Sequence, residues 1–189
     1  MSTSARVAQA FESEGYKDVY VLKGGWMDWY MNKFPVEKKD GLGGNRPPAG
    51  PERELLGKIT LDQLYKGGPE YKQDMDAYPA NPEIVGEISK IDRKTQVYAF
   101  IGWWCPDSAK EAPKMLKSLN AAANPNLAVE VYSVDRQLKD GGAGMASKFK
   151  LERVPTFVFM RNDAEIGRIV EYPAKSMEED ILKILKSGR

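Results

Sequence analysis

Hydrophobic residues recur along the chain at spacings that predict alternating helices and strands. The first part reads as a short helix, an apolar strand over residues 18–22 and a second helix through Trp26 and Trp29 that ends at Pro35. Residues 40–51 are rich in Gly and Pro and predict a linker. The pattern therefore sets a small helix-strand-helix extension ahead of the main body of the chain.

The rest of the chain alternates more regularly. Four apolar strands are predicted, over residues 96–101, 127–134, 156–160 and 165–170. Helices are predicted to begin at Thr60 and at Asn81 or Pro82, to run from Pro106 to Ala122 and over residues 145–150, and to close the chain after a capping box at Ser176 and Glu179. Strands that alternate with helices and end in a hairpin and a helix predict an α/β sandwich with a mixed sheet.

Composition excludes several classes of function. The 189 residues carry 28 basic and 27 acidic side chains, so the clustered positive charge that nucleic acid or an anionic membrane requires is missing. No apolar run is long enough to cross a membrane, and with Met1 as the start we expect a cytoplasmic protein. The chain has no histidine and one cysteine, which excludes Ser-His-Asp and Cys-His catalysis, internal disulfides and multi-cysteine zinc sites. We expect neither a metal nor a cofactor.

The single cysteine lies where an apolar strand meets the start of a helix, in Trp104-Cys105-Pro106-Asp107-Ser108. The unpaired N–H groups and the positive dipole end of a helix N-terminus stabilise a thiolate and make it a better nucleophile. The charge of Asp107 opposes this, whereas Ser108 is placed one turn on to donate a hydrogen bond to the sulfur. The alternative is a buried structural cysteine, the ordinary state of a lone one.

From about Val97 to its end, the chain resembles the thioredoxin superfamily. The resemblance is carried by the Trp-Cys-x-x-[Cys/Ser] site at 104–108, the helix-kinking Pro113, the strand-terminal Asp135, Pro155 in Val154-Pro155-Thr156, and the turn at 162–165. It implies a thioredoxin-like three-layer sandwich with a cis peptide bond at Pro155. It also implies a partner-docking surface made of Trp104, Pro106, Val154 and Pro155 around Cys105.

Two departures from the family pattern limit the chemistry. Ser108 replaces the second cysteine, so this chain has no thiol that expels a partner from a mixed disulfide, and Ala99 stands where many thioredoxins have a buried acid. The hypothesis that remains is monothiol exchange at Cys105, stabilised by Ser108 and the helix N-terminus, with a protein disulfide or a low-molecular-weight thiol or disulfide as partner. The alternative is a non-catalytic thioredoxin-fold module that binds a partner. A cluster bridged between two chains is disfavoured, because such proteins carry Cys-Gly-Phe-Ser.

The first 39 residues resemble another family, the C-terminal third of a rhodanese domain, through Leu22-x-Gly-Gly-x-x-x-Trp29 and Pro35-Val-Glu37. The catalytic cysteine of that family would precede Met1, which implies a fragment without sulfur-transfer chemistry or a piece of a longer rhodanese–thioredoxin fusion. We therefore expect a rhodanese-like segment at 1–39, a linker at 40–56 and a thioredoxin-like domain at 57–189. The apolar extension is expected to be buried by that domain or by a second copy of the chain, as a homodimer.

Other charged residues are interpreted as ordinary surface positions. Asp74, Asp76 and the run Glu178-Glu179-Asp180 are expected to cap helices or face solvent. Lys110 and Lys114 are expected to be exposed on the helix that follows Cys105.

Overall fold

A computed structural model of the chain describes residues 55–187, together with residues 12, 13, 15 and 17. The chain divides into two units, Met1–Gly44 and Asn45–Arg189, and the elements given below belong to the second. Nearly all of the rhodanese-like segment (1–39) and most of the linker (40–56) lie outside the described residues. Their boundaries, and the homodimer expected from the extension, stay predictions.

A mixed five-stranded sheet forms the centre of the second unit. Its strands are β1 (Gly57–Ile59), β2 (Thr95–Ile101), β3 (Leu127–Ser133), β4 (Thr156–Arg161) and β5 (Ala164–Val170). They lie in the order β1-β3-β2-β4-β5. Strands β2 and β3 are parallel, and the pairs β1–β3, β2–β4 and β4–β5 are antiparallel. The predicted α/β fold with a mixed sheet is confirmed.

Six helices lie within residues 55–187: α1 (Leu61–Gly67), α2 (Pro69–Ala77), α3 (Pro82–Ser89), α4 (Pro106–Ala122), α5 (Met145–Lys148) and α6 (Met177–Ser187). Side chains cap two of them reciprocally, Thr60 with Gln63 at α1 and Ser176 with Glu179 at α6. In this part of the chain, no helix combines the length and apolarity needed to cross a bilayer.

The two faces of β2 contribute to two separate hydrophobic clusters, because alternate side chains of a strand point to opposite faces of its sheet. Val97 and Ile101 join the larger cluster, in which α1, α2, α3, α4 and α6 bury their apolar faces. Phe100 joins the smaller cluster, where its ring centroid lies 5.7 Å from that of Phe149 beside α5. Helices on both faces of the sheet give the predicted three layers.

Two of the three glutamates buried among the described residues lie in α4 and α6, and their contacts correct two predictions. Glu178, expected at the surface, is 1% exposed and accepts a hydrogen bond from the Tyr78 hydroxyl at 3.1 Å. Burial and the charge of Glu178 raise the pKa of Tyr78 to about 12. Glu111 is 2% exposed and accepts from Lys114 at 2.8 Å and 3.0 Å, so Lys114 is not the freely exposed lysine that was expected.

The segment between β3 and α5 is held by a buried aspartate. Asp140 is 5% exposed and accepts hydrogen bonds from the backbone N–H groups of Gly144 at 3.0 Å and Ala146 at 2.8 Å. Burial opposes the charged carboxylate, but the hydrogen bonds from Ala146, Gly144 and neighbouring backbone groups outweigh it and lower the pKa of Asp140. The charged form of this side chain therefore fixes the start of α5.

We expect Asp140→Ala to reduce the free energy of unfolding by about 2 kcal/mol near neutral pH, because the buried N–H of Ala146 and the N–H of Gly144 lose their acceptor. The pKa of Asp140 is lower in the folded than in the unfolded state. Its contribution is therefore present above the ordinary carboxyl pKa of about 4 and is lost as pH falls through the folded value. Urea unfolding from about pH 7 to about pH 2 measures both effects.

The control for this measurement is Asp62→Ala, which removes an exposed carboxylate that forms an ion pair with Lys66. Its substitution is expected to change the free energy of unfolding by less than about 0.5 kcal/mol. A difference between wild type and Asp140→Ala that stays constant as the pH falls would contradict the assignment of the charged carboxylate to this role.

Candidate functional site

Cys105 is the N-cap of α4 and lies four residues after Ile101, the last residue of β2, at the strand–helix junction that the sequence predicts. Pro106 begins the helix, where a missing N–H costs no helical hydrogen bond. The thiol is 6% exposed and lies 3.3 Å from the Val154 carbonyl oxygen, to which it donates a hydrogen bond. The Val154–Pro155 peptide bond is cis, as the resemblance implied. The strand–helix junction and the proline loop thus meet at the sulfur.

The indole of Trp104 forms one side of the site. Its Nε1–H donates to the Val134 carbonyl at 3.1 Å, and the guanidinium of Arg136 lies 5.0 Å from the ring centroid. A Cβ added at Gly102 would lie 2.8 Å from this indole, so only glycine leaves the ring its space. The position of the Trp104 indole is therefore set by its hydrogen bond to Val134, by the guanidinium of Arg136 and by close packing on the backbone of Gly102.

Ser108 differs from its predicted role at the sulfur. The side chain is fully buried, and its hydroxyl oxygen accepts a hydrogen bond from the Gly102 N–H at 3.1 Å. Among the described residues, no hydrogen bond joins this hydroxyl to Cys105. The Ser108 hydroxyl therefore stabilises the backbone of the loop that joins β2 to Cys105. The sequence pattern could not reveal this, because it does not show which backbone group faces the hydroxyl.

The turn after β5 adds a residue that the sequence analysis missed. Tyr172 is 51% exposed and lies near Asp107, which is in the first turn of α4. The neighbouring Asp107 carboxylate, desolvation and the charge of Glu171 raise the pKa of Tyr172 to about 12. A lone tyrosine after a hairpin strand carries no signal in the sequence, because its position depends on how the turn folds back.

The same turn is joined to the proline loop by backbone and by charge. The N–H of Glu171 donates to the Pro155 carbonyl at 2.8 Å. The carboxylate of Glu171 also pairs with Arg153 at 2.6 Å, and the Thr156 hydroxyl donates to the Arg153 carbonyl at 2.8 Å. Glu171 thus contacts the proline loop twice, through its N–H at Pro155 and through its carboxylate at Arg153, and these contacts hold the backbone of the loop.

The residues predicted to surround Cys105 lie at different depths. Pro106 is exposed and Trp104 half-buried, whereas Val154 and Pro155 are buried with the cysteine. Among residues 55–187 and the four described near the start, no group of three metal-ligating side chains occurs. Chemistry at this place rests on one thiol, the dipole of α4 and backbone carbonyls.

The part of the chain that contains this site is similar to a known protein family. A family model described as thioredoxin matches residues 64–183, more than half of the chain and all of the site. The chain belongs to the thioredoxin family. A thioredoxin H-type of Brassica campestris is 28% identical over 97 residues, which cover 51% of this chain and 73% of that protein.

Two solved structures can be compared with this member of the thioredoxin family, both at less than 20% sequence identity. An HIV epitope scaffold covers 73% of this chain and 97% of its own, with a TM-score of 0.51 at 14% identity, a likeness of fold alone. Thioredoxin O2 from Arabidopsis thaliana, in the oxidized state, has a TM-score of 0.38 at 19% identity and covers 55% of this chain and 82% of its own.

We expect Gly102→Ala to displace the Trp104 indole, because the new methyl group overlaps the ring. The hydrogen bond to the Val134 carbonyl should then be lost, which a shift of the Trp104 indole N–H resonance in an NMR spectrum reports. Gly86→Ala on α3 is the matched control, since its Cβ meets nothing within 4 Å. An unmoved Trp104 resonance in a folded Gly102→Ala protein would show that the ring is not held in this way.

Proposed function

We propose that this member of the thioredoxin family exchanges thiols and disulfides through Cys105 alone. The observation that carries the proposal is the contact between the Cys105 sulfur and the Val154 carbonyl at 3.3 Å, next to the cis bond of Pro155. A nucleophile at a helix N-terminus lies there beside backbone that an extended partner can pair with. Trp104 and Pro106 add side chains that a docked partner would contact.

The proposed reaction has two exchange steps. The Cys105 thiolate attacks one sulfur of a partner disulfide R–S–S–R′, a bond forms between Sγ and that sulfur, and R′–S⁻ leaves and takes a proton from solvent. An external thiolate R″–S⁻ then attacks the partner sulfur, forms R–S–S–R″ and releases the Cys105 thiolate. The external thiol is needed because Ser108 holds the place of a second cysteine. No net electrons enter or leave the protein.

A non-catalytic binding module is the second candidate, and one observation favours it. The thiol of Cys105 is 6% exposed and donates its proton to the Val154 carbonyl, an interaction that stabilises the protonated form. In such a module the surface around Trp104 and Pro106 would bind a partner without covalent chemistry. The two candidates differ in the state of the thiol near neutral pH.

The rate of Cys105 alkylation by iodoacetamide, measured against pH, distinguishes the two candidates. With one cysteine in the chain, the label reports this thiol alone. We expect Cys105 of the folded protein to be alkylated faster near neutral pH than in the same chain unfolded in urea, because the helix N-terminus stabilises the thiolate. A folded protein that reacts no faster than the unfolded chain would favour the binding module.

Ser108→Cys tests the missing resolving thiol. The side chain at this position is buried one turn after Cys105, so a second thiol there should attack the mixed disulfide and release the partner. We expect wild type to accumulate a mixed disulfide with a disulfide-containing peptide, seen by mass spectrometry without reductant, and Ser108→Cys to lose it at least about tenfold faster. Ser118→Cys, at another fully buried serine of α4, is the control and should release no faster than wild type. Equal release from all three proteins would contradict the assignment.

A further inference from the structure

Arg136 is an exposed arginine that lies beside the site without an ion pair. Its guanidinium carbon lies 5.0 Å from the centroid of the Trp104 ring, and Trp104 directly precedes Cys105. No ion pair or side-chain hydrogen bond joins Arg136 to another residue within the described part of the chain. Three other arginines there have a guanidinium already bonded to a carboxylate, hydroxyl or carbonyl oxygen: Arg153, Arg161 and Arg168.

The turn that carries Arg136 is held by hydrogen bonds within it. The Asp135 carboxylate accepts from the N–H groups of Gln137 at 2.9 Å and Lys139 at 2.8 Å. The N–H of Asp135 donates to the Lys139 carbonyl at 3.0 Å, which closes the turn. Leu138 packs on the smaller hydrophobic cluster, to which the cysteine also belongs. These contacts place Arg136 beside the indole before a partner arrives.

The acidic side chains nearest in the chain are bonded elsewhere. The Asp135 carboxylate is bonded within the turn, and the buried carboxylate of Asp140 accepts from backbone N–H groups at the start of α5. Glu130, on β3, pairs with Lys58 at 2.8 Å. The guanidinium of Arg136 is therefore available to a ligand at the surface.

A guanidinium selects a particular kind of ligand. Its five N–H donors lie in one plane and can bind a carboxylate through two parallel hydrogen bonds. Contact with an aromatic ring uses the face of the cation and leaves these donors free. Asp107, in the first turn of α4, repels an anion that enters at the helix start, which favours the position at Arg136. A carboxylate bound there would lie on the Trp104 side of the sulfur.

We propose that Arg136 binds a carboxylate of the substrate while Cys105 exchanges with a sulfur of the same molecule. The substrate class is a disulfide that carries a carboxylate a few bonds from its sulfur, in a small acid or in an acidic residue of a polypeptide. This inference rests on the proposed exchange function. In that step a bond forms between the Sγ atom of Cys105 and the substrate sulfur, and the other sulfur leaves as a thiolate and takes a proton from solvent. Arg136 changes no bond and sets specificity.

A competition between two small disulfides tests the proposal. Dithiodipropionate and hydroxyethyl disulfide, which have the same methylene chain, are offered in equal amounts to the reduced protein, and acid stops the reaction early. Because the chain has one cysteine, the masses of the two Cys105 adducts report the ratio of rate constants. The same chain unfolded in urea gives the ratio due to intrinsic reactivity. We expect folding to raise the ratio in favour of the acid about fivefold at low ionic strength.

Substitutions at Arg136 assign the preference to its charge and its donors. Arg136→Gln should return the ratio to that of the unfolded chain, and Arg136→Glu should lower it further, because like charges repel. Arg136→Lys keeps the charge without the paired donors and should retain part of the preference. A displacement of Trp104 that slows both substrates alike leaves the ratio unchanged.

The control is Lys94→Gln, which removes the same charge beside Thr95, at the opposite end of β2 from the site. We expect it to leave the ratio within about twofold of that of wild type, because exposed charges so far apart are screened by salt.

A second competition identifies the source of the carboxylate. Two peptides, each in a disulfide with mercaptoethanol, differ only in a glutamate or a glutamine next to the peptide cysteine. The masses of the two peptide adducts of Cys105 again give the ratio. A preference for glutamate that Arg136→Gln removes would identify an acidic polypeptide, whereas a preference confined to dithiodipropionate would identify a small acid.

Each outcome decides a different question. A preference that depends on Arg136 in either competition supports the carboxylate site. A wild type that forms adducts without preference in both competitions, or a preference that persists in Arg136→Gln, overturns the site alone. A folded chain whose Cys105 is alkylated by iodoacetamide but forms no adduct with any of the four disulfides overturns the proposed function, and the inference with it.

Discussion

The hydrogen bond between the Cys105 thiol and the Val154 carbonyl is the contact on which the arrangement of the site depends. It joins two places far apart in the chain, the end of β2 and the start of β4, and each is placed by the sheet. Because β2 and β4 are adjacent and antiparallel, the end of one lies beside the start of the other. Sulfur and carbonyl therefore meet as a direct consequence of strand order.

Local sequence signals explain why the strand–helix junction at Cys105 and two helix starts could be predicted. An apolar run that leads into Cys105-Pro106 favours the end of a strand and the start of a helix, and Thr60 and Ser176 carry caps whose partners lie three residues on. Such signals are local, so they survive in any tertiary setting. The cis bond at Pro155 was implied by the resemblance and is present.

The elements and residues that escaped prediction lack local signals. Strand β1 has three residues, and α2 buries little besides Tyr71 and Met75 on its apolar face, so neither shows a full period. Glu178 looks like a first-turn surface acid until Tyr78 is placed against it across the helical layer. Tyr172 joins the site only because Glu171 adopts a positive φ of 58° and turns the chain back. Each depends on contacts between distant parts of the chain.

The buried Ser108 has a consequence for how long a partner stays bound. This chain has no second thiol to attack a mixed disulfide at Cys105. On the proposed chemistry, the lifetime of the covalent complex is therefore set by the concentration of free thiols around it. The occupied fraction of Cys105 would then follow the surrounding ratio of thiol to disulfide. On the proposed chemistry, the oxygen of the buried Ser108 in place of a second sulfur would make the bound state of the protein report the thiols and disulfides around it.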